Sequence, residues 1–215
     1  YSVAINKDII INCKGHTLDA NGKSGIFNIA SNITVTINNV TFINSIRTIN
    51  IDNPVGGAIY SDKNSNINIY DSIFINTTAQ EGGAIYSNYS NVTVLNSIFN
   101  KTASYCGGAV SGKSSNNLRV SDSTFINNAA YFGGAIYGFG NVSVAYSLFQ
   151  NITSPNEGSI ISSENTINLY YNEYNGKTEY NSTEIKGKID YYIHKNAHDF
   201  LFDYSLLDDN MAMGY

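Results

Sequence analysis

Positive charge is scarce in this chain: 12 Lys and Arg stand against 17 Asp and Glu among 215 residues, a formal net charge of -5 at pH 7. With no basic patch to meet a phosphate backbone, the composition argues against nucleic acid as a partner. No run of 18 apolar residues occurs, so no membrane insertion is expected within this segment, and no secretory signal peptide opens it. The first residues fall in mid-pattern, so the sequence reads as a segment of a larger exported protein. Apolar residues spaced three and four apart are missing before residue 185, which excludes helical repeats. A leucine consensus is also missing, which excludes leucine-rich repeats, and four-strand blades of about 40 residues do not fit the spacing, which excludes propellers. Cysteine is limited to Cys13 and Cys106. At strand spacing they lie on the order of 14 to 20 Å apart, beyond disulfide reach, and both read as free thiols.

What the chain has in abundance is repetition. Gly-Gly-Ala-Ile opens at Gly56, Gly82 and Gly133, Gly-Gly-Ala-Val at Gly107, and a weaker Glu-Gly-Ser-Ile at Glu157, a restart every 24 to 26 residues. Between restarts Phe74, Phe99, Phe125 and Phe149 keep the same beat, with Phe42 and Leu18 upstream and Tyr174 downstream in the same role. Each unit reads as three short strands with period-two alternation, such as Ala84–Ser87, Asn91–Leu95 and Ser97–Phe99. Strands that recur at this period and cannot bury their apolar faces alone must stack coil on coil. The expected fold is all-β: a right-handed parallel β-helix of about seven coils over residues 1–175, followed by a non-repeat C-terminal tail at 176–215 that caps the stack or begins another domain. A helix is expected in that tail around Tyr191 to Phe202. The 32-residue gap from Phe42 to Phe74 places an insertion of about six or seven residues within Ser45 to Val55, in a solenoid loop.

Stacking assigns roles. Ile59, Ile85, Val110, Ile136 and Ile160 are expected to form one interior column, the phenylalanines Phe42, Phe74, Phe99, Phe125 and Phe149 a second, and Ile67/Ile69, Val92/Val94, Leu118/Val120 and Val142/Val144 a third wall. The glycine pairs Gly56/Gly57, Gly82/Gly83, Gly107/Gly108 and Gly133/Gly134 mark corners needing positive φ or close backbone approach. Asparagine, 32 of 215 residues, gathers at turns, where stacked amides can bond along the column.

Gly-Gly-Ala-Ile followed by a Phe-x-x-Asn turn, complete at Phe125-Ile126-Asn127-Asn128, resembles the repeat of chlamydial polymorphic membrane proteins. The Asn, Ile and Tyr richness and the opening Gly15-His16-Thr17-Leu18-Asp19-Ala20-Asn21-Gly22 resemble the adhesin-like surface proteins of methanogenic archaea. The resemblance covers residues 1 to about 176. It implies an extracellular, cell-surface location and a role in adhesion, for which glycans or other cells are the expected partners; no cofactor is expected.

Two other readings stand beside it. One is a β-helical polysaccharide lyase or glycoside hydrolase, which needs two or three clustered carboxylates. Asp71 and Asp122 are the repeat-body candidates, yet both read as turn residues, and polygalacturonase signatures are absent. The chain is therefore expected not to be an enzyme. The other is a purely structural surface stalk. His194 and His198, with Asp199 and Asp203, have the spacing of a possible Zn²⁺ site and read as a solvated helix face. Asp19-Ala20-Asn21-Gly22 lacks most of a Ca²⁺ loop and reads as a turn. Nine Asn-x-Ser/Thr sequons, from Asn32 to Asn181, suit an exported protein. For a ligand, alternation points outward the residue after each interior isoleucine, so Phe27, Tyr60, Tyr86, Ser111 and Tyr137 are expected to form an exposed stripe that could meet sugar rings.

Overall fold

The computed structural model describes residues 2–47, 56–113, 117–156, 158–177 and 179–193. Among them there is no helix, and every strand pairing is parallel. The fourth of the seven coils shows the pattern: Ile85–Asn88, then Asn91–Leu95, then Ile98–Asn100. Equivalent strands pair one repeat apart, Ile85 with Val110, Val92 with Leu118 and Phe99 with Phe125. A seven-stranded sheet carries the phenylalanine rung of each of seven coils, and a 14-stranded sheet carries the other two walls, joined where the long strand Ile161–Tyr170 turns from one wall to the next.

Register accounts for the core. Phe42, Phe74, Phe99, Phe125 and Phe149 are fully buried and stack face to face with centroids 4.7, 4.8, 4.8 and 4.9 Å apart, and Tyr174 closes the column 5.5 Å above Phe149. The serine ahead of each phenylalanine is equally fixed. Ser97, Ser123 and Ser147 accept the backbone N–H of Ser72, Ser97 and Ser123 from the rung below and donate to the carbonyls of Leu95, Ser121 and Ala145. Buried backbone donors at this corner are thereby satisfied, which an apolar residue would not achieve.

The glycine pairs divide the two demands between their members. Gly82 sits at φ 57°, where a side chain is strained, and Gly83 lies against the next coil so closely that a Cβ would stand 2.1 Å from the Gly108 carbonyl oxygen. Positive φ is therefore not a property of the whole motif. Gly57, Gly83, Gly108 and Gly134, the second members, lie outside the left-handed region. Close approach alone requires glycine there: a Cβ on Gly57 would stand 1.8 Å from the Gly83 carbonyl oxygen, and one on Gly134 would stand 2.4 Å from that of Ser159.

Three further columns of turn residues occupy the left-handed region, among them Asn44, Asn76, Lys101, Asn127, Asn151 and Asn175. Asn76 donates to Asn44, Asn44 to Asp19, and Asn151 to Asn127, so the asparagine stack forms as expected; at Lys101 the neighbouring Asn100 receives the Asn127 amide instead. Asp71 and Asp122 occupy another such turn at φ 50°, with Asp71 accepting from Asn96 at 2.7 Å.

Other expectations change as well. The weak last repeat is shifted by one residue: Ile161, not Ile160, pairs with Ile136, so Gly158 rather than Glu157 opens the motif, and Ile160 follows the buried Ala135. The parallel stack also passes residue 175, because Ile185–Ile193 pairs with Ile161–Tyr170 and buries Ile185 in the core. Tyr191 to Ile193 are consequently strand rather than the start of a helix; the rest of that expected helix, with His194, His198, Asp199 and Asp203, lies outside the described residues, as do Glu157 and most of the Ser45 to Val55 insertion. A fourth short strand precedes the glycine pair in two coils, Ala103–Cys106 and Ala129–Phe132, forming a separate two-stranded sheet. Finally, Phe27 is not on the outer stripe: it pairs with Ile59 and points into the core, and Asn28 takes the place beside Tyr60.

Candidate functional site

The outer column of the glycine-led wall runs Asn28, Tyr60, Tyr86, Ser111, Tyr137 and Ser162. Its alternation is as expected, yet it is not an open stripe. Asn28 is exposed, with its side-chain oxygen accepting from the Arg47 guanidinium at 2.6 Å. Tyr60 is half-buried and stacks on Tyr86 at 5.9 Å, Tyr86 is only 1% exposed, and Tyr137 is buried. The cause is the segment before the glycine pairs at Gly82, Gly107 and Gly133. It climbs outside the wall as a ridge, stacking Glu81 on Cys106 and Cys106 on Phe132, and leans over the tyrosines. Phe132 lies 6.3 Å from the Tyr137 ring. The repeat glycines themselves offer a ligand nothing: Gly56, Gly57, Gly82, Gly83, Gly107, Gly108, Gly133 and Gly134 are all buried between coils, so their part is to bring the ridge back into the wall.

Beneath the ridge the groups are desolvated. Burial lifts the Glu81 carboxyl above its ordinary value, against the opposing pull of Lys113 and the Tyr86 hydroxyl. Burial likewise raises the Tyr86 phenol, with nearby Glu81 adding to it. Glu81 Oε2, the Tyr86 hydroxyl and Ser111 Oγ are buried without a hydrogen bond of normal geometry. Tyr137 donates to Glu164 at 2.9 Å, and its phenol is raised first by burial and then by that bond. Cys106 is a free thiol pushed up to about 12 by burial, with Glu81 and Glu164 reinforcing the shift. A thiol held protonated this way is a poor nucleophile.

Two exposed aromatics lie on the ridge instead. Tyr105 and Tyr131 stack at 5.1 Å and 6° and are 47% and 45% exposed. The Phe132 ring meets both edge-on, at 5.7 and 4.9 Å, and Phe139, also exposed, meets Tyr137 at 5.3 Å. These residues carried a sequence signal: Tyr105 and Tyr131 each stand two places before a glycine pair, where Gln80 stands in the preceding repeat. Aligning the repeats on the glycines places them in one column.

Residues 122–138 match the family model of the Chlamydia polymorphic membrane protein repeat. The matched stretch runs from the Asp122 turn through Phe125, Asn127 and Asn128 to the pair Gly133 and Gly134 and the strand Ile136–Gly138. No curated protein and no solved structure matches the chain.

Proposed function

We propose that this chain is a segment of a surface-displayed parallel β-helix that mediates attachment to glycans or other cells, outside the cell and without catalysing a reaction. The observation that carries the reading is the repeat at 122–138, similar to that of Chlamydia polymorphic membrane proteins, set in a solenoid whose equivalent strands stack in parallel from coil to coil. A stack of this kind holds side chains on its outer ridges at fixed intervals, as an extended binding surface requires. The carboxylates a polysaccharide-cleaving reading would recruit from the repeat body, Asp71 and Asp122, are engaged in left-handed turns.

The test is attachment of beads coated with the purified chain to cells and glycan-coated surfaces, with competition by soluble chain, beside an activity screen on uronate polymers. Competed attachment with no polymer cleavage is expected. Cleavage would establish the enzyme reading, and neither attachment nor cleavage would leave the structural stalk.

A further inference from the structure

The ridge carries an open groove beside its tyrosines. Ala103, Ala129 and Thr153 stack in one column of the ridge, and Tyr105 and Tyr131 stack in the column two residues on. Residues two apart on a strand face the same way. The small side chains therefore floor a groove of about 520 Å³, with Tyr131 and Pro155 among the residues that line it. That volume falls in the range of small-ligand sites. No Lys, Arg, Asp or Glu is among the lining residues.

We propose that this groove binds a neutral oligosaccharide. The proposal rests on the attachment reading and narrows it to one ligand class and one place. A half-exposed pair of stacked tyrosines, extended by Phe132, is an aromatic patch of the sort that marks interaction sites on soluble surfaces. Among the described residues the phenol hydroxyls of Tyr105 and Tyr131 have no hydrogen-bond partner, so ring surface and hydroxyl are both free for a ligand. A sugar ring has an apolar face for the first and a rim of hydroxyls for the second. Ser104 and Ser154 donate to backbone carbonyls and keep lone pairs that can accept from the ligand. The uncharged lining disfavours uronate or sulfated chains. A floor of alanine and threonine has no deep apolar pocket to anchor a leucine or phenylalanine of a peptide.

An array of neutral glycans, acidic glycans and proline-rich peptides, followed by titration of the neutral hits, tests the assignment. At least one neutral glycan should bind, and Tyr105→Ser/Tyr131→Ser should weaken it about tenfold or more with the far-UV circular dichroism unchanged. Thr153→Arg, which puts bulk and charge on the exposed groove floor without entering the core, should weaken it equally, so the test survives if the serine pair fails to fold. Tyr89→Asn, at an exposed left-handed turn elsewhere, should leave binding intact. Binding confined to acidic glycans or peptides, no binding at all, or neutral-glycan binding that both groove variants retain would overturn the proposal. Variant beads that attach to cells as well as the parent would remove this groove and leave the attachment reading standing. A parent chain that binds a neutral glycan but attaches to nothing would do the reverse.

Discussion

Phe99→Ala is the sharpest test of the stacked core. Phe99 is fully buried between Phe74 and Phe125, each 4.8 Å away and within 5° of coplanar. Core Phe→Ala replacements cost about 3–5 kcal/mol, with the larger losses where the cavity cannot collapse. Here it cannot: Phe74 and Phe125 are held by their own paired strands, and closing the gap would break the register of two coils. Two aromatic contacts vanish as well, each worth about 0.5–1.5 kcal/mol beyond burial. The expected loss is therefore at the upper end, about 5 kcal/mol, comparable to the whole stability of many domains. Urea unfolding followed by circular dichroism measures it, with Ile98→Ala as the reference. Ile98 is the adjacent residue, points outward and is 39% exposed, so its truncation should cost about 0.5 kcal/mol or less. Equal losses for the two variants, or a Phe99→Ala loss under about 1 kcal/mol, would refute the stacked-column argument.

The second glycine of each pair gives a similar contrast: Gly83→Ala forces a Cβ to 2.1 Å from the Gly108 carbonyl and 2.7 Å from the Ala103 backbone, whereas Gly112→Ala meets nothing within 4 Å, so thermal unfolding should drop sharply for the first and barely move for the second. Asn128 is buried, accepts the Thr102 N–H at 3.1 Å and donates to the Phe99 carbonyl at 3.2 Å; Asn128→Leu should destabilise by about 1–3 kcal/mol for each backbone group orphaned, measured by denaturant titration. Because the folded Glu81 carboxyl is raised above its ordinary 4.5, the folded state holds its proton more tightly than the unfolded chain. The resulting stabilisation is present below 4.5 and lost as pH rises through the folded value, so Glu81→Gln should be more stable than the parent at pH 7, with the advantage shrinking toward pH 4 in paired melting curves. With its thiol pushed up to about 12, Cys106 should react with iodoacetamide at pH 8 far more slowly than free glutathione, as peptide mass spectrometry would read; rapid modification would contradict the desolvation of its thiol.

The linear order of residues by itself determined the coil, the period and most of the core. Parallel stacking places equivalent positions over one another, so any residue type repeated every 24 to 26 places must be one the rung demands: phenylalanine for the column, serine for the corner, glycine for close approach. That is why even Leu18 and Tyr174, unlike their neighbours in type, are legible as members of the phenylalanine column, and the register bears them out. The same logic fails where the repeat weakens. Without a second glycine after Gly158 the last motif aligns one residue early, and because Ile160 and Ile161 are both buried, only the strand pairing shows which of them sits over Ile136. Phe27 is misplaced for the same reason, since its coil has no glycine pair to count from. Within the pairs, the sequence shows two equivalent glycines, and only the backbone path separates a turn residue such as Gly133 from a contact residue such as Gly134.

The candidate site was decided by tertiary structure. Alternation along a strand establishes that Tyr60, Tyr86 and Tyr137 point out of the wall, but exposure depends on what else occupies the space outside it. Glu81, Cys106 and Phe132 reach that space only because the chain climbs there before the following glycine pair turns it back into the wall. Burial of the tyrosines and exposure of Tyr105 and Tyr131 follow from that one detour, whose path is set by packing between segments some twenty-five residues apart rather than by any local pattern.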